Sequence, residues 1–141
     1  MTPATGKYVH RHTILLNETN AMGGVVYFSN FVKWQGIVRE MVLKERCDYR
    51  ALFSEPVDMI THSCSVKFLQ HLYFGDVVRI EMATDHILPT SFVMFFEYYR
   101  DSEGALAATG EQKVTFADRA TGVLCRIPGP ILEIAKSLKR K

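Results

Sequence analysis

One long segment of the chain, residues 29–45, has the apolar periodicity of an α-helix. Its apolar residues recur at steps of three and four positions, namely Phe31, Trp34, Ile37, Val38, Met41 and Val42. Such spacing gathers side chains on one side of a helix, and Ser29 or Asn30 is a suitable N-cap residue. Because apolar side chains cover a broad face, we expect a sheet to curve around this helix and bury it.

The segments on both sides of this helix have the patterns of strands and turns. After Pro56 the period changes, and Cys64, Val66 and Phe68 alternate with Ser63, Ser65 and Lys67, as in a strand with two unlike faces. Strands are predicted at residues 9–16, 63–68, 77–83, 91–99 and 105–117, with a last strand or strand extension at 123–127. Short helices are predicted at 49–53 and 131–138. This order predicts an α+β domain in which one long central helix packs against an antiparallel sheet of five to six strands.

The composition is that of one globular domain, and residues 1–141 contain no repeat or linker that would divide them. Hydrophobic residues make up 48% and charged residues 23% of the chain. The net charge of +2 gives no indication of a nucleic-acid partner. Charge is concentrated only in the tail, residues 136–141. This tail is interpreted either as a solvated helix end or as a docking patch for an acidic carrier protein.

The cysteines and histidines do not form a recognisable framework. Cys47, Cys64 and Cys125 lack paired spacing, which favours a reducing compartment. No histidine combines with a cysteine at ligand spacing, so we expect no metal and no cofactor. His10 and His12 are interpreted as surface or wall residues of a strand. The sequence shows no signal segment and no apolar run near the ~20 residues of a membrane span. We therefore expect a cytoplasmic protein without a membrane partner.

A polar turn with two glycines leads directly into the long helix. It reads Glu18-Thr19-Asn20-Ala21-Met22-Gly23-Gly24 and is followed by Tyr27-Phe28. Glycine lets a backbone bend and approach a ligand closely, and the first N–H groups of a helix have no internal partner. This combination can polarise a carbonyl group.

With this order of elements, the chain resembles the hotdog-fold acyl thioesterases over nearly its whole length. In the branch similar to 4-hydroxybenzoyl-CoA thioesterases, a motif begins with aspartate, continues through small residues and glycine, and reaches a tyrosine seven positions later. The corresponding positions here are Asn20, Gly23 and Tyr27, so the spacing agrees but the acid is replaced. The resemblance implies a curved antiparallel sheet around one helix, and dimers with two active sites at the shared interface.

Three shorter runs resemble the thioesterases of enediyne biosynthesis, a narrower group. These runs are Glu18-Thr19-Asn20, Trp34-Gln35-Gly36 and Arg39-Glu40-Met41. The resemblance implies hydrolysis of a polyene β-ketoacyl thioester on the acyl carrier domain of an iterative polyketide synthase. A linear polyene is then released after decarboxylation. It also implies a homo-oligomer, with a dimer of dimers (a homotetramer) as the expected state.

Asn20 and Arg39 are the candidate catalytic residues that distinguish this chain from the acid-containing branch. An asparagine amide is not a base at neutral pH, so Asn20 either holds the turn or positions water or a substrate carbonyl. A β-ketoacyl substrate develops charge on oxygen, which the planar fork of Arg39 can hold. The alternative for Arg39 is a structural ion pair with Glu40 or Glu111.

The remaining candidates keep two interpretations each. Tyr27 is expected to offer its backbone N–H to the thioester carbonyl, although its ring is equally suited to the core. Glu40 either acts as a base or anchors Arg39, and Thr61 either lines the carbonyl site or is an ordinary strand residue. Arg39 follows Tyr27 by twelve residues, about 18 Å along a helix. One site therefore needs a substrate of that length or contributions from both subunits.

Substrate-binding roles are expected for Gly23 and Gly24 in the turn and for Phe28 and Phe31 at the helix start. The acyl chain needs a narrow apolar space with flat walls, and the six methionines of the chain would adapt to it. Two alternatives to the polyene thioesterase stay open. One is a general acyl-CoA thioesterase of the 4-hydroxybenzoyl-CoA type, and the other is a non-catalytic hotdog protein that binds a polyene or an acyl carrier.

Overall fold

An antiparallel sheet of five strands forms one layer of the computed structural model, which describes residues 6–20 and 22–141. The strands are β1 (Tyr8–Thr13), β2 (Val57–Phe68), β3 (Val77–Asp85), β4 (Ser91–Arg100) and β5 (Ala105–Asp118). Their spatial order is β1-β3-β4-β5-β2, and every neighbouring pair is antiparallel. The helices are α1 (Ser29–Arg46), α2 (Tyr49–Phe53) and α3 (Gly129–Ser137).

Helix α1 lies against the inner face of the sheet and provides the centre of the core. It buries five side chains, those of Phe31, Trp34, Gln35, Val38 and Val42. Alternate residues of β3 and β4 are buried opposite it, as expected for strands with one covered face. The ring of Phe31 lies 5.0 Å from that of Trp34 and 5.2 Å from that of Tyr98. These aromatic contacts fix the first two turns of α1 on the sheet.

The predicted order of elements is confirmed, and three details are corrected. The first strand ends at Thr13 rather than at residue 16, because Leu16–Glu18 forms a 3₁₀ turn. The N-cap of α1 is Phe28, without a side-chain cap, and Asn30 donates its side-chain N–H to the Glu18 carbonyl instead. The segment 123–127 contributes only an isolated bridge between Ala117 and Leu124, so the described sheet has five strands.

Strand β2 forms a long, open edge of the sheet. It has twelve residues, most of them exposed, and pairs only with β5 among the described strands. Its register shifts between Thr61 and Ser63, so that His62 is an extra residue in a β-bulge. Exposed apolar side chains, Ile60 and Phe68 among them, lie along this edge.

The basic tail lies beside the end of β3. The backbone N–H of Arg140 donates to the Thr84 carbonyl, and its guanidinium Nε lies 2.9 Å from Oδ2 of Asp85. Arg140 also lies over the ring of Phe95, so part of the basic charge is already engaged. None of the helices within residues 6–20 and 22–141 combines the length and apolar character that spanning a membrane would require.

Candidate active site

A cleft of about 750 Å³ opens at the start of α1 and contains four of the predicted site residues. Its apolar and aromatic lining consists of Val25, Val26, Tyr27, Phe28, Phe31, Phe68, Leu69, Leu72 and Tyr73. Its polar lining consists of Asn20, Gln70, His71 and Arg100. The structure thus brings Asn20, Tyr27, Phe28 and Phe31 together, as the sequence predicts. No carboxylate lines this cleft in the described part of the chain.

The turn beside the cleft depends on its two glycines. Gly23 and Gly24 have φ angles of +80° and +73°, a region that side chains with a Cβ rarely adopt. Asn20 closes the turn at both ends, since its N–H donates to the Val25 carbonyl and its Oδ1 accepts the N–H of Met22. Ala21, within the predicted motif, lies outside the described residues.

Asn20 combines both roles that the sequence left open. Its Oδ1 holds the turn, while its Nδ2 group has no hydrogen-bond partner within residues 6–20 and 22–141. Because Asn20 is exposed and lines the cleft, these two N–H groups are available to a carbonyl oxygen or a water molecule. The amide can therefore both shape the turn and contact a ligand.

The role expected for the Tyr27 N–H needs correction. This group donates to the Glu18 carbonyl at 2.9 Å, next to the bridge between Thr19 and Val26, and is not free for a substrate. In the described part of the chain, the N–H groups of Phe28 and Ser29 are the ones left without a partner at this helix start. The Tyr27 ring is 51% exposed, so it is a wall of the cleft and not a core residue.

Glu18 is a buried anchor that sequence reasoning did not assign. Only 3% exposed, its carboxylate contacts His12 Nε2 at 2.7 Å, accepts the N–H of Leu15 at 2.8 Å and accepts Trp34 Nε1–H at 3.0 Å. Burial acts to raise the pKa of Glu18, but these hydrogen bonds outweigh it and the pKa lies below its ordinary value. His12 is accordingly half-buried against Trp34 and is not a plain surface residue.

Glu18 also connects the turn to the helix through its backbone. Its carbonyl accepts the Tyr27 N–H and the Asn30 side chain, while its carboxylate holds Trp34 of α1. An acid two positions before Asn20, with a tryptophan later in the helix, was the available signal in the sequence. The spacing alone does not show that these groups meet.

A second polar group lies around Arg39, farther along α1. Its Nη1 donates to Thr61 Oγ1 at 3.0 Å and to Gln112 Oε1 at 2.9 Å. Neither Glu40 nor Glu111 forms an ion pair with it among the described residues, so the structural ion pair considered above is wrong. Burial lowers the pKa of Arg39, and the charge of the exposed Glu40 partly opposes this.

Arg39 keeps one edge of its guanidinium free. Within the described residues, its Nε and Nη2 have no hydrogen-bond partner. These atoms form a planar fork that can hold two oxygens. Beside Arg39 is a small apolar space of about 20 Å³, walled by α1, α3 and the sheet. Three methionines line this space, Met59, Met82 and Met94.

The predicted residues therefore form two groups within one chain. Asn20, Tyr27, Phe28 and Phe31 line the cleft, and Gly23 and Gly24 shape the turn beside it. Arg39 and Thr61 lie together elsewhere, about 12 Å from Phe31 along α1 as judged from the helical rise. Glu40 is exposed and, among the described residues, forms no hydrogen bond or ion pair with either group. In the described residues no cluster of three or more His, Cys, Asp or Glu side chains is arranged to hold a metal ion.

Comparison with known proteins identifies relatives over most of the chain. A family model for the thioesterase-like superfamily matches residues 14–135. A 1,4-dihydroxy-2-naphthoyl-CoA hydrolase of Prochlorococcus marinus (strain NATL1A) is 30% identical over 101 residues, which is 64% of this chain. The match spans 66% of that hydrolase, just under two thirds of its length.

Solved structures share the fold. The dynemicin thioesterase, whose crystal structures reveal induced-fit and allosteric effects upon polyene binding, superposes with a TM-score of 0.87 at 28% identity. That match covers 96% of this chain and 99% of the other. Slr0204, a 1,4-dihydroxy-2-naphthoyl-CoA thioesterase from Synechocystis, superposes with a TM-score of 0.85 at 16% identity, covering 94% and 97%. These similarities confirm the predicted hotdog fold.

Proposed function

Because the chain belongs to the thioesterase-like superfamily, we propose that it hydrolyses a polyene β-ketoacyl thioester carried by the acyl carrier domain of an iterative polyketide synthase. The linear polyene leaves after decarboxylation. The observation that carries this proposal concerns the described residues: the Arg39 guanidinium keeps a free edge, and the cleft is lined by the Asn20 amide but by no carboxylate.

The absence of a carboxylate among the described cleft residues limits the chemistry. Asn20 can donate hydrogen bonds but cannot remove a proton from water at neutral pH. A substrate that is itself activated is therefore favoured over a plain acyl thioester. A β-ketoacyl thioester meets this condition, because its second carbonyl withdraws electrons and allows charge to spread over two oxygens.

Each step has a residue suited to it. Water attacks the thioester carbon, the carbonyl oxygen becomes negative, and the Nδ2 of Asn20 and the free N–H groups at the start of α1 are suited to stabilise it. The C–S bond then breaks and the sulfur takes a proton. The β-keto acid loses carbon dioxide, and the electron pair of the broken C–C bond passes to the ketone oxygen. Arg39 is suited to stabilise that enolate until its carbon is protonated.

The space beside Arg39 supports an apolar acyl chain. It is small, with about 20 Å³ of free volume, and Met59, Met82 and Met94 are among the residues that line it. Methionine side chains rearrange readily because they are unbranched. We expect this space to widen around a polyene that enters past the guanidinium.

A homodimer explains how two groups in one chain serve one site. Strand β2 presents an open edge, and such edges pair readily with another strand. If two copies pair antiparallel through β2, the Phe68 end of one strand lies beside the Thr61 half of the other. The cleft of one subunit then faces Arg39 of its partner. A dimer of dimers is the larger assembly that we expect.

The basic tail, residues 136–141, can contact a carrier domain docked at a cleft only in such an assembly. The tail lies at the Asp85 end of β3, whereas Tyr73 and Asp76 lie near its other end. A strand of this length spans about 30 Å. The tail therefore cannot flank the cleft of its own chain, and a docked acidic carrier domain would lie against the partner's cleft.

The decisive experiment is incubation of the protein with a loaded iterative polyketide synthase, followed by the absorbance of the extracted polyene. We expect a discrete conjugated product that is lost in Arg39→Ala and strongly reduced in Asn20→Ala. Removal of one stabilising donor typically lowers the rate about 100-fold or more. Unchanged release in both variants would disprove the mechanism.

The similarity to 1,4-dihydroxy-2-naphthoyl-CoA hydrolases favours a second candidate, a general acyl-CoA thioesterase. This candidate predicts turnover of aromatic and aliphatic acyl-CoA substrates that lack a β-keto group. A panel of such thioesters, measured beside the synthase assay, separates the two. Binding of the loaded carrier without loss of the thioester in either assay would indicate a non-catalytic binding protein instead.

A further inference from the structure

Two buried glutamines connect Arg39 to the backbone of β2. Gln112 of β5 accepts Arg39 Nη1 at 2.9 Å and donates its Nε2 to Gln35 Oε1 at 3.2 Å. Gln35 of α1 in turn donates its Nε2 to the Ser65 carbonyl at 3.1 Å. Gln35 is fully buried and Gln112 is 4% exposed. We call this row of hydrogen bonds the amide relay.

The direction of the amide relay is fixed at both ends. Arginine can only donate, so Gln112 must turn its oxygen toward Arg39 and its NH₂ group toward Gln35. A backbone carbonyl can only accept, so Gln35 must turn its NH₂ group toward Ser65 and its oxygen toward Gln112. Both requirements agree, and neither amide can flip without leaving a buried group unpaired, which typically costs about 1–3 kcal/mol.

The amide relay has room only because position 110 is glycine. A Cβ on Gly110 would lie 2.6 Å from Gln35 Nε2 and 3.0 Å from the Ser65 oxygen. Both distances are shorter than ordinary contacts. The backbone of the sheet therefore limits the position of the Gln35 side chain on one side. Thr61, on β2, is the other side chain that accepts a hydrogen bond from Arg39.

We propose that Gln35 and Gln112 are positioning residues that hold the Arg39 guanidinium in one orientation and thereby set a preference for β-ketoacyl thioesters. With Thr61 and Gln112, the relay occupies both N–H groups of Nη1. The parallel N–H groups of Nε and Nη2 then remain for the ligand, and they suit two oxygens separated by three carbons. This inference rests on the proposed function for its substrate, but its structural part does not.

The first experiment compares Gln112→Met with a control on the same strand, Lys113→Met. Since neighbouring residues of β5 point to opposite faces, the control changes the other side of the sheet. We expect Gln112→Met to lower kcat/KM for a β-ketoacyl thioester at least tenfold and to leave a simple acyl thioester nearly unchanged. Lys113→Met should affect neither substrate.

A double-mutant cycle separates positioning from general damage to the fold. If Gln112 acts through Arg39, Gln112→Met has no further effect on the residual kcat/KM of Arg39→Ala, measured at high enzyme concentration. If the losses in kcat/KM of the two single variants multiply in the double variant, the proposal is overturned. Thermal unfolding of each variant accompanies the assay.

The second experiment observes the Arg39 guanidinium directly. It therefore tests the amide relay even if the proposed substrate is incorrect. In ¹⁵N-labelled protein, we expect the Arg39 guanidinium to give distinct Nη signals because its rotation is hindered, and Gln112→Met to remove that distinction. Gln112→Glu keeps the acceptor oxygen and should keep the signals, while its charge lowers turnover. Unchanged signals in Gln112→Met, or their loss in Gln112→Glu, would contradict the relay. If the parent protein shows hindered Arg39 signals but Arg39→Ala turns over the β-ketoacyl substrate normally, only the proposed function is contradicted.

Discussion

The lack of a side chain at Gly110 of β5 has consequences for residues of two other elements, α1 and β2. Gly110 leaves the space in which Gln35 reaches Ser65, and through Gln112 this space reaches Arg39. Glycine is needed at position 110 because the Gln35 side chain approaches the backbone of β5 closely there, and not because of an unusual φ angle. The position therefore belongs to the candidate site although it touches no ligand group.

Gly110→Ala tests this dependence. The added methyl group must displace Gln35 or the backbone of β2, and we expect a loss of about 1–3 kcal/mol in the free energy of unfolding. Gly129→Ala is a suitable control, because a Cβ there meets no atom of the described residues within 4 Å. Chemical denaturation of both variants measures the effect. Equal stability of the two variants would show that Gln35 has other space available.

Glu18 is the second residue whose environment gives a direct prediction. Its pKa is lowered in the folded protein, so its stabilising effect is present above the unfolded value of about 4.3 and is lost as the pH falls through the lower folded value. Glu18→Gln should cost about 1–3 kcal/mol at pH 7. The difference from the parent protein should shrink in acid.

Urea unfolding at pH 7 and near pH 3 measures this trend, with Glu55→Gln as the control at an exposed carboxylate. We expect the control to match the parent at both pH values. A deficit in Glu18→Gln that is the same at both pH values would mean that its ionised form is not what the buried contacts stabilise.

At the level of elements, the bulge in β2 decides which side chains reach α1. Thr61 pairs with Val114 and Cys64 pairs with Gln112, and both pairs lie on the inner face. Inner residues are therefore odd-numbered before the bulge and even-numbered after it. If the strand kept His62 but had no bulge, the alternation of residues 64–68 would continue through it, His62 would point inward and Thr61 would point outward, away from Arg39.

The bulge also shows what sequence could and could not predict. Periodicities of two and of three to four residues were sufficient to locate α1 and the five strands, because an element that buries one face has regularly spaced apolar residues. The alternation of Cys64, Val66 and Phe68 does not reveal a change of face at His62. The partners of Glu18 and the amide relay were equally hidden, because they join residues that are distant along the chain.

Deletion of single residues in β2 tests the assignment of faces. Deleting His62 removes the extra residue while both flanking registers stay intact, so we expect stability within about 1 kcal/mol of the parent and an unchanged Arg39–Thr61 contact. Deleting Ile60 instead moves His62 to the place opposite Arg39. We expect that variant to lose turnover of the β-ketoacyl substrate. The opposite ranking of the two deletions in a turnover assay would place the bulge elsewhere.

At the level of the whole molecule, subunit mixing tests whether one site uses two chains. Asn20→Ala and Arg39→Ala proteins are each expected to keep about one hundredth of the parent activity or less, and random exchange of subunits makes half of the dimers hybrid. In each hybrid, one site combines an intact Asn20 with an intact Arg39 if they come from different chains. We therefore expect about one quarter of the parent activity after mixing. No recovery, with subunit exchange shown by a tag, would mean that each chain carries a complete site.

The separation of Asn20, in the turn before α1, from Arg39 on α1 has a kinetic consequence. A reaction centre completed only by a neighbouring molecule has a rate that depends on how often the molecules are paired. Below the dissociation constant of the pair, the rate would fall with the square of the protein concentration, not in proportion to it. Specific activity measured in highly dilute samples would then describe the assembly equilibrium more than the chemistry. The amount of protein in the cell would itself regulate the rate of thioester hydrolysis.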